Sequence, residues 1–242
     1  MRSALSSRNL QQLRFDEEWG NMGKTITVTA ADGHTFSAYT AGPDNATKGL
    51  VVIQEIFGVN HHIRDMADKF AAEGYKVIAP AMFDRAQKGV DLGYGPDDRK
   101  VGIELRGKVS DKDSIADITA AAKALGTKSN GIVGYCWGGT LAWFGATRTT
   151  EFGAASCWYG GGIAATKDEK PNCPVQMQFG ETDGSIPMTD VEAIKAAQPS
   201  AEVYVYPGAG HGFGCDERDS WNPEAFKTAQ QRTLAFFSKH LK

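Results

Sequence analysis

Short, continuously apolar runs alternate with amphipathic segments along most of this chain, and no other feature constrains its fold as strongly. "GLVVIQ" (49–54), "YKVIAP" (75–80), "GIVGYC" (131–136), "AASCWYG" (154–160), "PVQMQFG" (174–180) and "AEVYVYPG" (201–208) read as strands, most of them apolar enough to be buried on both faces. Helical patterns lie between them: "IRDMADKFAAEG" (63–74), "DSIADITAAAKALG" (113–126), "GTLAWFGATR" (139–148), "DVEAIKAAQ" (190–198) and "PEAFKTAQQRTLAFFSKHL" (223–241). This alternation predicts an α/β fold, a mostly parallel sheet with helices on both faces. Ahead of it, "KTITVTA" and "TFSAYTAG" flank an Asp-Gly turn and predict an N-terminal β-hairpin. Residues 81–110, rich in Gly, Pro and charge, read as a long loop forming a pocket wall or lid.

The 242 residues suit one domain, expected over 23–242, because the strand pattern begins only after Met22. Residues 1–22, rich in Arg and Ser at the start, read as an extension outside the core. A net charge of −3 gives no reason to expect nucleic acid or an anionic membrane as partner. No apolar run approaches the roughly 18 residues that span a bilayer. The four cysteines, Cys136, Cys157, Cys173 and Cys215, match no zinc spacing and form no CxxC. We therefore expect a cytoplasmic protein with free thiols, monomeric, with no metal and no cofactor.

The chemistry concentrates at Gly134-Tyr135-Cys136-Trp137-Gly138, a G-x-S-x-G elbow with cysteine in place of serine. Such a nucleophile sits on a strained strand-to-helix turn, where residues two before and two after approach too closely for side chains. The helix that follows directs its N-terminus at the sulfur, which favours an anion, and lets the Trp137 amide face an oxyanion. The competing reading is a packed cysteine in a Gly-rich turn. Asp183 after one later strand and His211 after the next argue against it, since they follow the chain order nucleophile, acid, histidine. Asp183 would orient the imidazole, and His211 would exchange protons with nucleophile and leaving group. Singly, Asp183 could be a turn residue and His211 a solvated loop histidine. Glu55 ends "VVIQE", where this fold builds the second half of an oxyanion hole from the Ile56 amide. His34 lies in the hairpin turn and His240 at the tail; His61 and His62 could line the site, but the sequence sets no carboxylate cluster beside them as metal ligands.

Together, "DGHTFSAY", "QEIFGVNHHIRDMADKFAAEGY", "GYCWGG", "TDGSIP" and "GAGHGF" resemble the dienelactone hydrolases (carboxymethylenebutenolidases), a cysteine branch of the α/β-hydrolase fold, over nearly all of residues 23–240. The resemblance implies that Cys136 attacks the carbonyl of an enol-lactone, that the Ile56 and Trp137 amides hold the oxyanion, and that water hydrolyses the acyl-enzyme. It implies that Glu55 takes the thiol proton when substrate enters. Arg85 in "PAMFDR" matches an arginine that holds the substrate's carboxylate. Two positions depart from the family: Cys215 stands where a second such arginine is expected, with Arg218 nearby but out of register, and Ala81 replaces a common acidic residue. The expected partner is a small lactone or ester, as in aromatic-compound degradation. A broad small-ester carboxylesterase and a catalytically silent binding module are the alternatives.

Overall fold

The computed structural model describes residues 23–242, and the expectation for residues 1–22 lies outside them. Eight strands form one sheet: β1 (Lys24–Thr29), β2 (Thr35–Ala41), β3 (Lys48–Ile53), β4 (Lys76–Pro80), β5 (Ser129–Tyr135), β6 (Ala154–Trp158), β7 (Val175–Gly180) and β8 (Glu202–Tyr206), in the order β1-β2-β4-β3-β5-β6-β7-β8. β1 and β2 are the expected hairpin and pair antiparallel, as do β2 and β4; every later pair is parallel. The helices are α1 (His61–Ala72), α2 (Pro96–Arg106), α3 (Asp111–Leu125), α4 (Trp137–Arg148), α5 (Met188–Ala197) and α6 (Pro223–His240). The central strands are buried along nearly their whole length, which is why they carry unbroken apolar runs rather than alternation.

Chain order reverses at β3: β4 lies on one side of it and β5 on the other. Such a switch point opens a crevice beyond the carboxyl ends of β3 and β5. The β3–β5 register ends with Ile53 opposite Gly134, so Glu55 and Cys136 leave the sheet at the same level. Gln54 pins this edge, its Oε1 accepting from the Met82 amide at 3.0 Å.

Residues 81–110 are less irregular than expected. They hold a short 3-10 turn (Met82–Arg85) and the helix α2. The helix escaped its sequence pattern because it buries only Gly102 and Leu105. It docks through glycine: a Cβ at Gly102 would lie 2.0 Å from the Ile56 carbonyl oxygen. Pro96 opens the helix, and Asp98 accepts from the Gly95 amide at 3.3 Å.

Arg85, which the resemblance assigned to the substrate's carboxylate, is held by three aspartates in this structure. Asp117 accepts from Nε at 3.0 Å and from Nη2 at 2.7 Å, Asp32 accepts from Nη1 at 2.7 Å, and Asp113 stands 3.5 Å from Nη1. The guanidinium thus ties the hairpin turn to α3 and to the turn after β4. Its hydrogen bond holds the Asp32 carboxyl at about 2. The Asp117 side chain is fully buried, so removing Arg85 leaves an uncompensated charge. Arg85→Ala should therefore cost about 3–5 kcal/mol and lower Tm by roughly 10 °C. Its kcat/KM ratio for anionic against neutral substrates should stay unchanged. Native Tm with a selective loss on anionic substrates would restore Arg85 to the pocket.

Candidate active site

The site is built on the turn from β5 into α4. Cys136 is the N-cap of α4 with φ 57° and ψ −117°, a strained conformation for a residue with a side chain. A Cβ at Gly134 would lie 1.9 Å from the Gly138 carbonyl oxygen, and one at Gly138 would lie 2.5 Å from the carbonyl oxygens of Ile53 and Gln54. Only glycine lets the three backbones meet. The Cys136 amide donates to the Trp158 carbonyl at 3.0 Å, anchoring the turn to β6. Trp137 opens α4, a position whose N–H has no partner within the helix.

Asp183 lies in the loop after β7 and His211 in the loop after β8, on the edge that carries Cys136. The Asp183 Oδ1 accepts from the amides of Ser185 at 2.8 Å and Ile186 at 3.1 Å. Oδ2 is left for His211 Nδ1, at 2.8 Å. His211 Nε2 stands 3.1 Å from Cys136 Sγ. The Tyr159 ring packs edge-on against the imidazole, centroids 5.4 Å apart, and fixes its plane. Burial opposes a charged imidazole, but the hydrogen bonds to Asp183 and Cys136 prevail and lift His211 to about 10. A thiol, a base and an orienting carboxylate in this geometry can transfer an acyl group.

Glu55 is 1 % exposed and faces Arg218 rather than the thiol. Its Oε1 accepts from Arg218 Nη1 at 2.8 Å and its Oε2 from the Tyr94 hydroxyl at 3.0 Å. No hydrogen bond joins Glu55 to Cys136 among the described residues. Arg218 reaches the site because the chain after His211 winds through successive turns: Cys215 donates to Gly212, Arg218 to Cys215 and Trp221 to Arg218. Gly212, at φ 77°, makes room, since a Cβ there would lie 2.4 Å from Arg218 Nη1. The turns thus carry Arg218 back to Glu55 despite its offset from the histidine along the sequence.

A cleft of about 550 Å³ opens over the sulfur. Ile56, Trp137, His211 and Arg218 line one side, and Arg99, Ile103 and Arg106 of α2 the other; Arg85 is not among its walls. The arginines of α2 were unreadable as site residues because their segment carried no helical pattern. Below the cleft, one ligand atom each from Glu55, His62 and Cys215 lie within 4.8 Å of one another. Glu55 thus stands beside His62 although it comes from a different element, a neighbourhood that the spacing did not show.

No helix among the described residues is long and apolar enough to cross a membrane. The sequence profile of the dienelactone hydrolase family matches residues 36–241. A relative from Synechocystis sp., which bears the provisional name carboxymethylenebutenolidase, is 38% identical, covering 80% of this chain and 86% of its own. One from Salmonella typhimurium with the same provisional name is 34% identical over 91% of this chain and 89% of its own. The crystal structure of a protein from Klebsiella pneumoniae, provisionally described as a dienelactone hydrolase, superposes with a TM-score of 0.74 at 33% identity, covering 89% of this chain and 99% of that one. With its eight-stranded α/β-hydrolase sheet, the chain belongs to the dienelactone hydrolase family, whose members hydrolyse carboxylic esters.

Proposed function

We propose that this hydrolase uses Cys136 as a nucleophile to open enol-lactones, such as dienelactone, that carry a carboxylate. The chain of contacts from Cys136 Sγ through His211 to Asp183 at the floor of the cleft carries the reading. The sulfur attacks the lactone carbonyl carbon while His211 holds the proton on Nε2. Charge gathers on the carbonyl oxygen, opposite the amides of Ile56 and Trp137. The ring C–O bond breaks, and the histidine protonates the departing enolate. Water, deprotonated by the same imidazole, then cleaves the thioester and restores the thiol. No step calls for a cofactor. The Glu55–Arg218 pair favours an anionic substrate over the broad-esterase alternative: a carboxylate entering the cleft meets Arg218 and displaces Glu55 from it. The four free thiols are in keeping with a cytoplasmic enzyme, and residues 23–242 with a single working domain.

Alkylation with a limiting reagent should modify Cys136 first, with loss of ester and lactone hydrolysis in proportion to the adduct found by mass spectrometry. The other three thiols are buried, and full activity with Cys136 fully modified would sink the mechanism.

Because the Asp183 carboxylate stabilises the charged ring, Asp183→Asn should move the His211 titration below its native value of about 10. Proton NMR of the histidine ring reads this directly, and an unmoved midpoint would detach Asp183 from the histidine. Arg218→Gln should lower kcat/KM on an anionic lactone roughly ten- to a hundredfold, corresponding to about 1.5–3 kcal/mol for a charged hydrogen bond, and on a neutral phenyl ester far less. Equal losses on both substrates would remove the carboxylate from the reading.

A further inference from the structure

Behind the cleft floor sits a cluster of which the proposed reaction involves Glu55 alone. His62, in the first turn of α1, is 1 % exposed, and neither ring nitrogen has a hydrogen-bond partner. Its Nδ1 stands 3.7 Å from Asp216 Oδ1, beyond hydrogen-bonding distance. A buried imidazole with two unmet nitrogens is costly, and native proteins rarely keep one without a use. Beside it lie Cys215, fully buried, and Glu55; one donor atom from each of the three falls within 4.8 Å of the others. We infer that Glu55, His62 and Cys215 form a binding site for a thiophilic divalent cation of the zinc class, and that filling it turns hydrolysis off.

The donor chemistry selects the ion. A thiolate, an imidazole and a carboxylate suit Zn²⁺ or Co²⁺, and three protein ligands leave a fourth position for water. Ligand atoms around such an ion stand about 3.5 Å apart, given bonds of about 2.0–2.3 Å. The cluster would have to contract by roughly an ångström. Asp216, already facing Nδ1, is the kind of carboxylate that steadies a ligating imidazole. Binding is a ligand exchange without redox chemistry: the Cys215 sulfur gives up its proton to cleft water, and Glu55 leaves Arg218 for the cation. The Arg218 side chain is 20 % exposed and can turn into the cleft. Inhibition follows because the cation withdraws Glu55 from Arg218 and sets further positive charge within the site. Binding is read without turnover, so the inference does not rest on the substrate proposed above.

The test uses the full chain, stripped with a chelator and dialysed. Cys136 and His211 could themselves hold a thiophilic cation, so Co²⁺ is added to Cys136→Ala. One equivalent should bind, with a thiolate-to-Co²⁺ charge-transfer band and the intense visible bands of a tetrahedral ion. Adding Cys215→Ala, or separately His62→Gln, should abolish both bands while melting curves confirm folding. With Cys136 intact, Zn²⁺ should block phenyl ester hydrolysis and a chelator restore it. Cys215→Ala should keep its basal rate yet need on the order of a hundredfold more Zn²⁺. A Co²⁺ spectrum that vanishes with Cys136→Ala alone, or Zn²⁺ inhibition undiminished in Cys215→Ala, would assign the cation to the catalytic pair and overturn the inference.

Discussion

The close crossing of three backbones beneath Cys136 is the constraint on which the site depends. Gly134 and Gly138 have no room for a β-carbon, and the strand end at Ile53 and Gln54 presses against the same point. That contact holds the sulfur above the sheet, directs the helix axis at it and brings the Ile56 peptide alongside. The cost is a non-glycine residue at φ 57°, which the hydrogen bond from the Cys136 amide to Trp158 helps to hold. Strain of this kind persists only where surrounding packing overdetermines it, as the buried β5, β6 and α4 do here.

Charge in the site is arranged in two separate couples. Asp183 and Cys136 flank His211, and the imidazole stays protonated far above its usual range. Glu55 and Arg218 form the second couple, closed by the Tyr94 hydroxyl. An anion that competes for Arg218 would change the partner of a buried carboxylate at the level of Cys136.

Legibility in the sequence followed the range of the interactions. The sheet, the hairpin and the meeting of Cys136, Asp183 and His211 at one sheet edge were readable because each depends on local pattern: continuous apolar runs, an Asp-Gly turn and loops placed just after strands. Gly126 closing α3 at φ 65° is another such local signal. What escaped the sequence was tertiary. The α2 segment looked like a loop because its buried face is essentially Gly102 and Leu105, too little to make a periodic stripe. Arg85 matched a functional position by its neighbours, but no local rule reveals that Asp32, Asp113 and Asp117 converge on it from two other elements. Arg218 was seen and set aside, since counting residues from His211 ignores how turns shorten a loop. The neighbourhood of His62 and Cys215 spans more than 150 positions of chain and leaves no trace in spacing.

The contact between Gly102 and the Ile56 carbonyl also bears on how this cleft can change over evolutionary time. Because no side chain fits between them, α2 cannot be tilted inward without disturbing the peptide chain at Ile56. The outer face of the same helix is under no such restriction: Arg99, Ile103 and Arg106 are exposed and border the cleft. Helix position and helix surface are therefore separable. A lineage can recolour the pocket wall at three adjacent positions, altering its charge and width, while the chemistry beneath is inherited intact.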